Sequence, residues 1–148
     1  MHLTLHADYS LRVLLYLATR TGRPVSTQEM ADAYGISKHH LVRVVQTLAG
    51  QGVVDARAGR SGGVVLARAP ADIQVGRVLR AAEPDFHLVE CFDRERNACP
   101  IAPACGLKSV LDEAREAFLA VLDRYTLADL LRRSSPNLQD YFLPTSES

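Results

Sequence analysis

The chain has 148 residues, of which 47% are hydrophobic and 23% charged, with 17 Lys and Arg balancing 17 Asp and Glu. This fits one soluble globular domain, with at most an appendage. The longest uninterrupted apolar run, Val13–Ala18, is far too short to cross a membrane, and the first ten residues show no basic stretch or cleavage site of a signal peptide, so the expected compartment is the cytoplasm.

The zero net charge hides an asymmetry. Residues 1–80 hold ten Lys and Arg against five Asp and Glu, whereas residues 81–148 hold seven against twelve. A basic half joined to an acidic half points to a polyanion for the first. In chain order, His6–Arg20 predicts a helix whose apolar face is Leu11, Leu14, Leu15 and Ala18, spaced at helical period. Ser26 and Glu29 have the spacing of a capping box, opening a short helix Thr27–Tyr34. Gly35 ends it as a left-handed cap, and Ser37 opens the next helix. Leu41, Val44, Val45 and Leu48 line one face of that helix, and Lys38, His39, His40, Arg43, Gln46 and Thr47 line the other.

Two short helices around a glycine turn form a helix-turn-helix pattern. Cations, amides and hydroxyls on the exposed face suit phosphates and base edges, although a solvated polar face on an ordinary helical hairpin has the same composition. The following segment shifts that balance. The β-branched runs VVDARA and VVLARA flank GRSGG, Gly59–Gly63, which reads as a β-hairpin. Helices followed by a basic hairpin give a winged helix-turn-helix. The candidate DNA contacts are Ser26 and Gln28, then Ser37, Lys38, His39, His40 and Arg43, then Arg57, Arg60 and Gly62 on the wing. Arg60 stands at the tip, where it can enter a narrow minor groove.

Pro70–Glu83 predicts one amphipathic helix. From Gly106 a long helix begins, with Leu107, Leu111, Ala114, Phe118, Val121 and Tyr125 in an a/d heptad seam. This seam predicts a homodimer, which would set two recognition helices ~34–36 Å apart on a palindromic operator. Thr126 caps a short helix, LADLLRR. The expected fold is mostly α with a small β-hairpin wing. Its parts are a winged helix-turn-helix domain (1–83), a cysteine loop (84–105), a dimerisation helix with a short terminal helix (106–131), and a mostly disordered tail (132–148).

All three cysteines, Cys91, Cys99 and Cys105, fall between these helices. Their spacing is wider than the paired cysteines of a zinc knuckle. Soft thiolates suit zinc, cuprous copper or an iron–sulfur cluster, and three unconnected cysteines remain an open alternative at this point. No nucleotide loop, triad or clustered acid–base set is present, so no catalytic residue is assigned and the chain is not expected to be an enzyme.

HADYSLR near the N-terminus, Ser37 to Leu41 in the second helix, GRSGGVVLA in the wing and CPIAPACGL together resemble the NsrR group of iron–sulfur winged-helix repressors, relatives of IscR. The resemblance covers about residues 1–130. It implies a homodimeric repressor with a cluster held by Cys91, Cys99 and Cys105, of four-iron or else two-iron type, responding to nitric oxide. It implies a fourth ligand from the partner subunit at the position of Asp8; Arg12, one helical turn on, can pair with Asp8, so the two are the expected switch. Glu83, His87, Glu90 and Asp93 are reserve ligands. Lys108 occupies the position of the histidine ligand of IscR-like proteins and cannot replace it. An iron- or redox-responsive regulator of the IscR type and a zinc- or thiol-responsive regulator are the alternatives.

Overall fold

The structure is a computed structural model and describes residues 2–144. Helix α1 (Leu5–Thr19) starts at Thr4, whose hydroxyl accepts the Ala7 amide at 3.2 Å. The Thr4 amide and hydroxyl donate to the Glu83 carboxylate at 3.2 and 3.0 Å, which sets an anion at the positive end of the helix. The predicted one-sided apolar face of α1 needs correction. Leu11 and Leu15 are half-buried, while Ala7, Ser10, Val13, Leu14, Tyr16, Leu17 and Ala18 are buried. The reason is tertiary: α1 contacts α3, α4, α6 and β2, so it is buried on several sides.

Helix α2 (Thr27–Tyr34) begins at Ser26, whose hydroxyl accepts the Glu29 amide at 3.0 Å. Only this half of the predicted capping box forms. The Glu29 carboxylate instead accepts from Arg23, at 2.6 and 2.9 Å, and from the Tyr16 hydroxyl at 2.8 Å. The Arg23 bonds hold the Glu29 carboxyl below its ordinary range. Gly35 has φ 64°, the left-handed cap expected there. Helix α3 (Lys38–Gly50) follows, and its four predicted core residues are all buried.

Strands β1 (Val54–Arg57) and β2 (Gly63–Leu66) pair antiparallel, Val54 opposite Leu66 and Arg57 opposite Gly63. Val25, just before α2, adds a further bridge to Val64 through two bonds of 3.0 and 2.7 Å. The wing is therefore tied to the entry of the helix-turn-helix. The predicted helix Pro70–Glu83 divides into a 3-10 turn, Pro70–Asp72, and helix α4 (Val75–Ala82). Between them Ile73 is extended and 1% exposed, so its core position overrides the helical pattern.

Helix α5 (Gly106–Asp123) and helix α6 (Leu127–Arg133) complete the helices. Gly76 makes the α4–α5 contact possible, because a Cβ there would lie 2.9 Å from the Asp123 backbone nitrogen. Arg80 pairs with Asp123 across the same contact. Thr126 and Asp129 form a full capping box on α6. The main core joins α1, α2, α3, the wing and Leu127 of α6. A smaller cluster gathers Ala7, Leu79, Ala82 and Leu119, with Phe118 and Leu122 packed on it.

Two further expectations change. The predicted seam of α5 splits, because its member Phe118 packs on the α4 side beside Leu122, which the seam did not include. The exposed apolar stripe is instead Leu107, Val110, Ala114, Ala117 and Val121, still at alternating spacings of three and four. The tail predicted to be mostly disordered is ordered up to residue 144. It forms a 3-10 turn, Leu138–Tyr141, and packs Phe142 against the main core. The apolar surface left open between α1 and α2 accounts for this. Residues 145–148 of that expected tail lie outside the described residues.

Candidate functional site

The face of α3 opposite its buried residues carries Lys38, His39, His40, Val42, Arg43 and Gln46, all exposed. Ser37 has N-cap backbone geometry but its side chain makes no cap bond. Its exposed hydroxyl and the first amides of α3 thus share one end of the helix, an arrangement suited to phosphate. His40 stands 6.1 Å from the Tyr9 ring, which joins the start of α3 to α1. Thr47, predicted on the polar face, is half-buried and donates to the Arg43 carbonyl at 3.2 Å. His6 Nε2 shares a 3.0 Å hydrogen bond with the same hydroxyl. This bond fastens α1 to the recognition helix.

Ser26 is occupied in capping α2, and the Gln28 amide donates to Asp32 at 2.8 Å. Both sit on exposed positions at the start of α2. Arg57 and Arg60 are exposed on the wing. Gly62 has a steric role: a Cβ there would stand 2.2 Å from the Arg57 carbonyl oxygen and 2.8 Å from the Ala58 carbonyl carbon. The Gly62 amide closes the tip by donating to the Gly59 carbonyl at 3.0 Å. Sequence reasoning passed over Val42, an apolar residue on the polar face. Its helical position between His39 and Arg43 was the available signal.

The cysteine loop lies between α4 and α5. None of the three thiols is in a disulfide, and all are half-buried. Cys91 and Cys105 line one open cavity of about 600 Å³, together with Arg94, Lys108, Asp112 and Arg115. Cys99 is not among its lining residues. Among the described residues, no three His, Cys, Asp or Glu side chains stand close enough to share a metal ion. The donor chemistry nevertheless fits a soft-metal group: three unpaired, accessible thiols, two on one cavity, with cations beside them to offset thiolate charge. Arg115 also stands 5.0 Å over the Phe92 ring, holding the loop against α5.

Asp8 lies in the first turn of α1 and pairs with Arg12 at 2.7 and 3.1 Å, an (i, i+4) pair. It does not line the cavity of its own chain. The reserve ligands have partners within their own chain. Glu83 accepts from Thr4, Glu90 from the Ala98 amide, and Asp93 from the Glu95 amide, while His87 sits 3.7 Å from Asp85.

This arrangement matches a known family. The model of the Rrf2 family, described as iron-dependent transcriptional regulators, matches residues 3–133. The chain belongs to the Rrf2 family. It is 50% identical over 133 residues to the HTH-type transcriptional regulator NsrR of Bacillus subtilis strain 168, covering 89% of this chain and 91% of that one. It is 49% identical over 132 residues to NsrR of Bacillus licheniformis, covering 88% and 92%. Among solved structures, T. potens IscR superposes with TM-score 0.73 at 27% identity, covering 93% and 91% of the two chains. CymR, the global cysteine regulator of B. subtilis, gives 0.70 at 26% identity, covering 91% and 99%. This Rrf2 protein is thus a winged helix-turn-helix transcriptional regulator that binds DNA and not an enzyme. No helix among its described residues is long and apolar enough to cross a membrane.

Proposed function

We propose that this Rrf2 protein is a homodimeric repressor whose affinity for a palindromic operator is controlled by an iron–sulfur cluster, of four-iron type, that reacts with nitric oxide. The observation that carries this reading is the cysteine loop: three free thiols on one irregular segment, two of them walling a cation-lined cavity at the start of α5. The resemblance to the NsrR group implies nitric oxide rather than the other signals of the fold, and the relatives named NsrR agree with that resemblance. Fold alone does not choose, since IscR and a cysteine regulator share it.

Cys91, Cys99 and Cys105 would hold the group, and when bound it supplies an iron open to the gas. Asp8 of the partner subunit would be the fourth ligand. Within one chain, Asp8 is already satisfied by Arg12, so ligation and the Arg12 pair compete for one carboxylate. Exchange between the two partners acts on the first turn of α1. That turn reaches the recognition helix through His6 and Thr47, and through Tyr9 and His40. The exposed stripe from Leu107 to Val121 supports α5 as the dimer contact.

Anaerobic purification followed by iron and sulfide analysis tests the group, and operator footprinting before and after nitric oxide tests the response. Four irons with four sulfides and lost protection after the gas are expected. A colourless zinc protein, a two-iron cluster, or protection unchanged by nitric oxide would each overturn that part of the reading.

A further inference from the structure

Residues 134–143 lie beyond residue 133, where the family match ends, yet they return to the helix-turn-helix. Three separate anchors hold them. The Gln139 side-chain oxygen accepts from Arg20 at 3.2 Å, at the end of α1. The Phe142 ring sits 4.7 Å from Tyr16 of α1 and 5.3 Å from Tyr34 of α2. The Leu143 amide donates to the Ala33 carbonyl at 2.9 Å.

The third anchor has a specific meaning. A helix leaves its last four carbonyls without helical partners. At the end of α2, the amides of Gly35 and Ile36 serve Ala31 and Asp32. Ala33 is served from the far end of the chain. Its carbonyl lies at the turn that sets α3 relative to α2, so the tail finishes the turn of the helix-turn-helix. The second anchor acts on the same place. Tyr34, pressed by Phe142, donates its hydroxyl to the Arg12 carbonyl at 2.8 Å, linking α2 to the middle of α1.

We propose that the C-terminal segment is a strap that sets the angle of the recognition helix, with Phe142 as a positioning residue for specific DNA binding. The strap continues directly from α6, which packs on α1. It therefore gives the helix-turn-helix a second connection to the helices that follow the wing. When the strap is released, the core of α1, α3 and the wing keeps its own packing, but α2 and its turn lose an aromatic wedge and a carbonyl partner. The fraction of molecules with α3 correctly set falls, and apparent affinity falls by the same fraction. Binding to random DNA, which depends on phosphate contacts rather than on angle, changes little.

The test compares the full chain with Phe142→Ala, Phe142→Tyr, Leu143→Pro and a chain ending at Arg133. Each is titrated at fixed salt against a duplex selected from random sequence by the full chain, and against a scrambled duplex. Phe142→Ala, Leu143→Pro and the shortened chain are expected to lose about tenfold for the selected duplex and less than about twofold for the scrambled one. Phe142→Tyr should retain affinity. Leu143→Pro leaves Phe142 in place and removes the amide donor together with the leucine side chain that lies against Gly35, both contacts of the strap with the turn, so it decides the matter should Phe142→Ala fail to fold. Unchanged affinity for the selected duplex, or equal losses on both duplexes, would overturn the proposal.

Discussion

Gly62→Ala tests the wing with a single methyl group. Gly62 does not have positive φ, so its backbone conformation is open to alanine and the obstacle is space alone. The added Cβ would sit 2.2 Å from the Arg57 oxygen and 2.8 Å from the Ala58 carbon, both backbone atoms that no rotamer change can move. The tip, residues 58–62, has to rebuild together with the Arg57 end of β1. The strands below it do not, because Val64 is held by both Val54's strand and the Val25 bridge. Overpacking of this kind costs roughly 1–3 kcal/mol. For a chain of this size each kcal/mol lowers Tm by about 2–4 °C. The functional effect should exceed the stability effect, because Arg60 is carried by the rebuilt tip. Operator affinity, measured by fluorescence anisotropy over a series of salt concentrations, should fall about tenfold, and the slope of log K against log salt should shrink by about one. Gly59→Ala provides the contrast, since its φ of 101° brings backbone strain but its Cβ meets nothing within 4 Å. A Gly62→Ala protein with the original affinity and slope would refute the reasoning that the wing tip is engaged on DNA.

Other outcomes follow from the packing. Gly76→Ala places a Cβ 2.9 Å from the Asp123 backbone nitrogen and on top of its carboxylate, so α5 must move away from α4 and the Arg80–Asp123 pair must break; a cooperative thermal transition shifted down by several degrees is expected, and an unshifted one would show that α5 is free to slide. Glu29 has its carboxyl lowered by Arg23, so its contribution is present above the ordinary glutamate range and is lost as pH falls through the lowered folded value; the Tm gap between wild type and Glu29→Gln should therefore be present at pH 7 and close at acid pH. Val121→Glu puts like charges across the proposed two-fold contact of the exposed stripe, so sedimentation should show monomers and operator affinity should fall more than tenfold. Asp8→Asn keeps the shape of the first turn of α1 but removes the charge paired with Arg12, and it should alter the response to nitric oxide while leaving α1 folded, as checked by circular dichroism.

Local signals were legible in the sequence wherever the local preference and the tertiary environment agree. Thr27–Tyr34 is one such case: its serine cap and left-handed glycine are short-range devices, and the observed bounds match. Leu41, Val44, Val45 and Leu48 are another, because α3 faces the core on one side only. The misreadings all arise from contacts with residues outside the element concerned. The face of α1 was misjudged because four elements pack round it, so its burial follows no single stripe. Glu29 left its capping box because Arg23 and Tyr16 offered it stronger partners. The α5 seam was misdivided because Phe118 fits the same three-and-four spacing as the exposed residues, and only the position of α4 separates the two faces.

The cysteine loop and the tail show the same distinction in function. Three cysteines on one short segment are visible to any reader of the sequence, but which of them share a cavity depends on how α5 begins, and the structure brings Cys91 and Cys105 to it. Asp8 was legible only by resemblance, because a first-turn carboxylate is equally well explained by the helix dipole and by its Arg12 pair. Phe142 was not legible at all: nothing in the short run Tyr141, Phe142, Leu143 marks which side chain turns inward, and the meaning of Phe142 comes from two tyrosines over a hundred residues earlier. Both ends of α1 are thereby constrained by distant residues, Glu83 at its start and Gln139 at its end. A helix held in this way passes a displacement at one end to the recognition helix more readily than it absorbs it. The proposed control of operator affinity from the cysteine loop requires this, because that loop lies in a different part of the chain from the DNA-binding face.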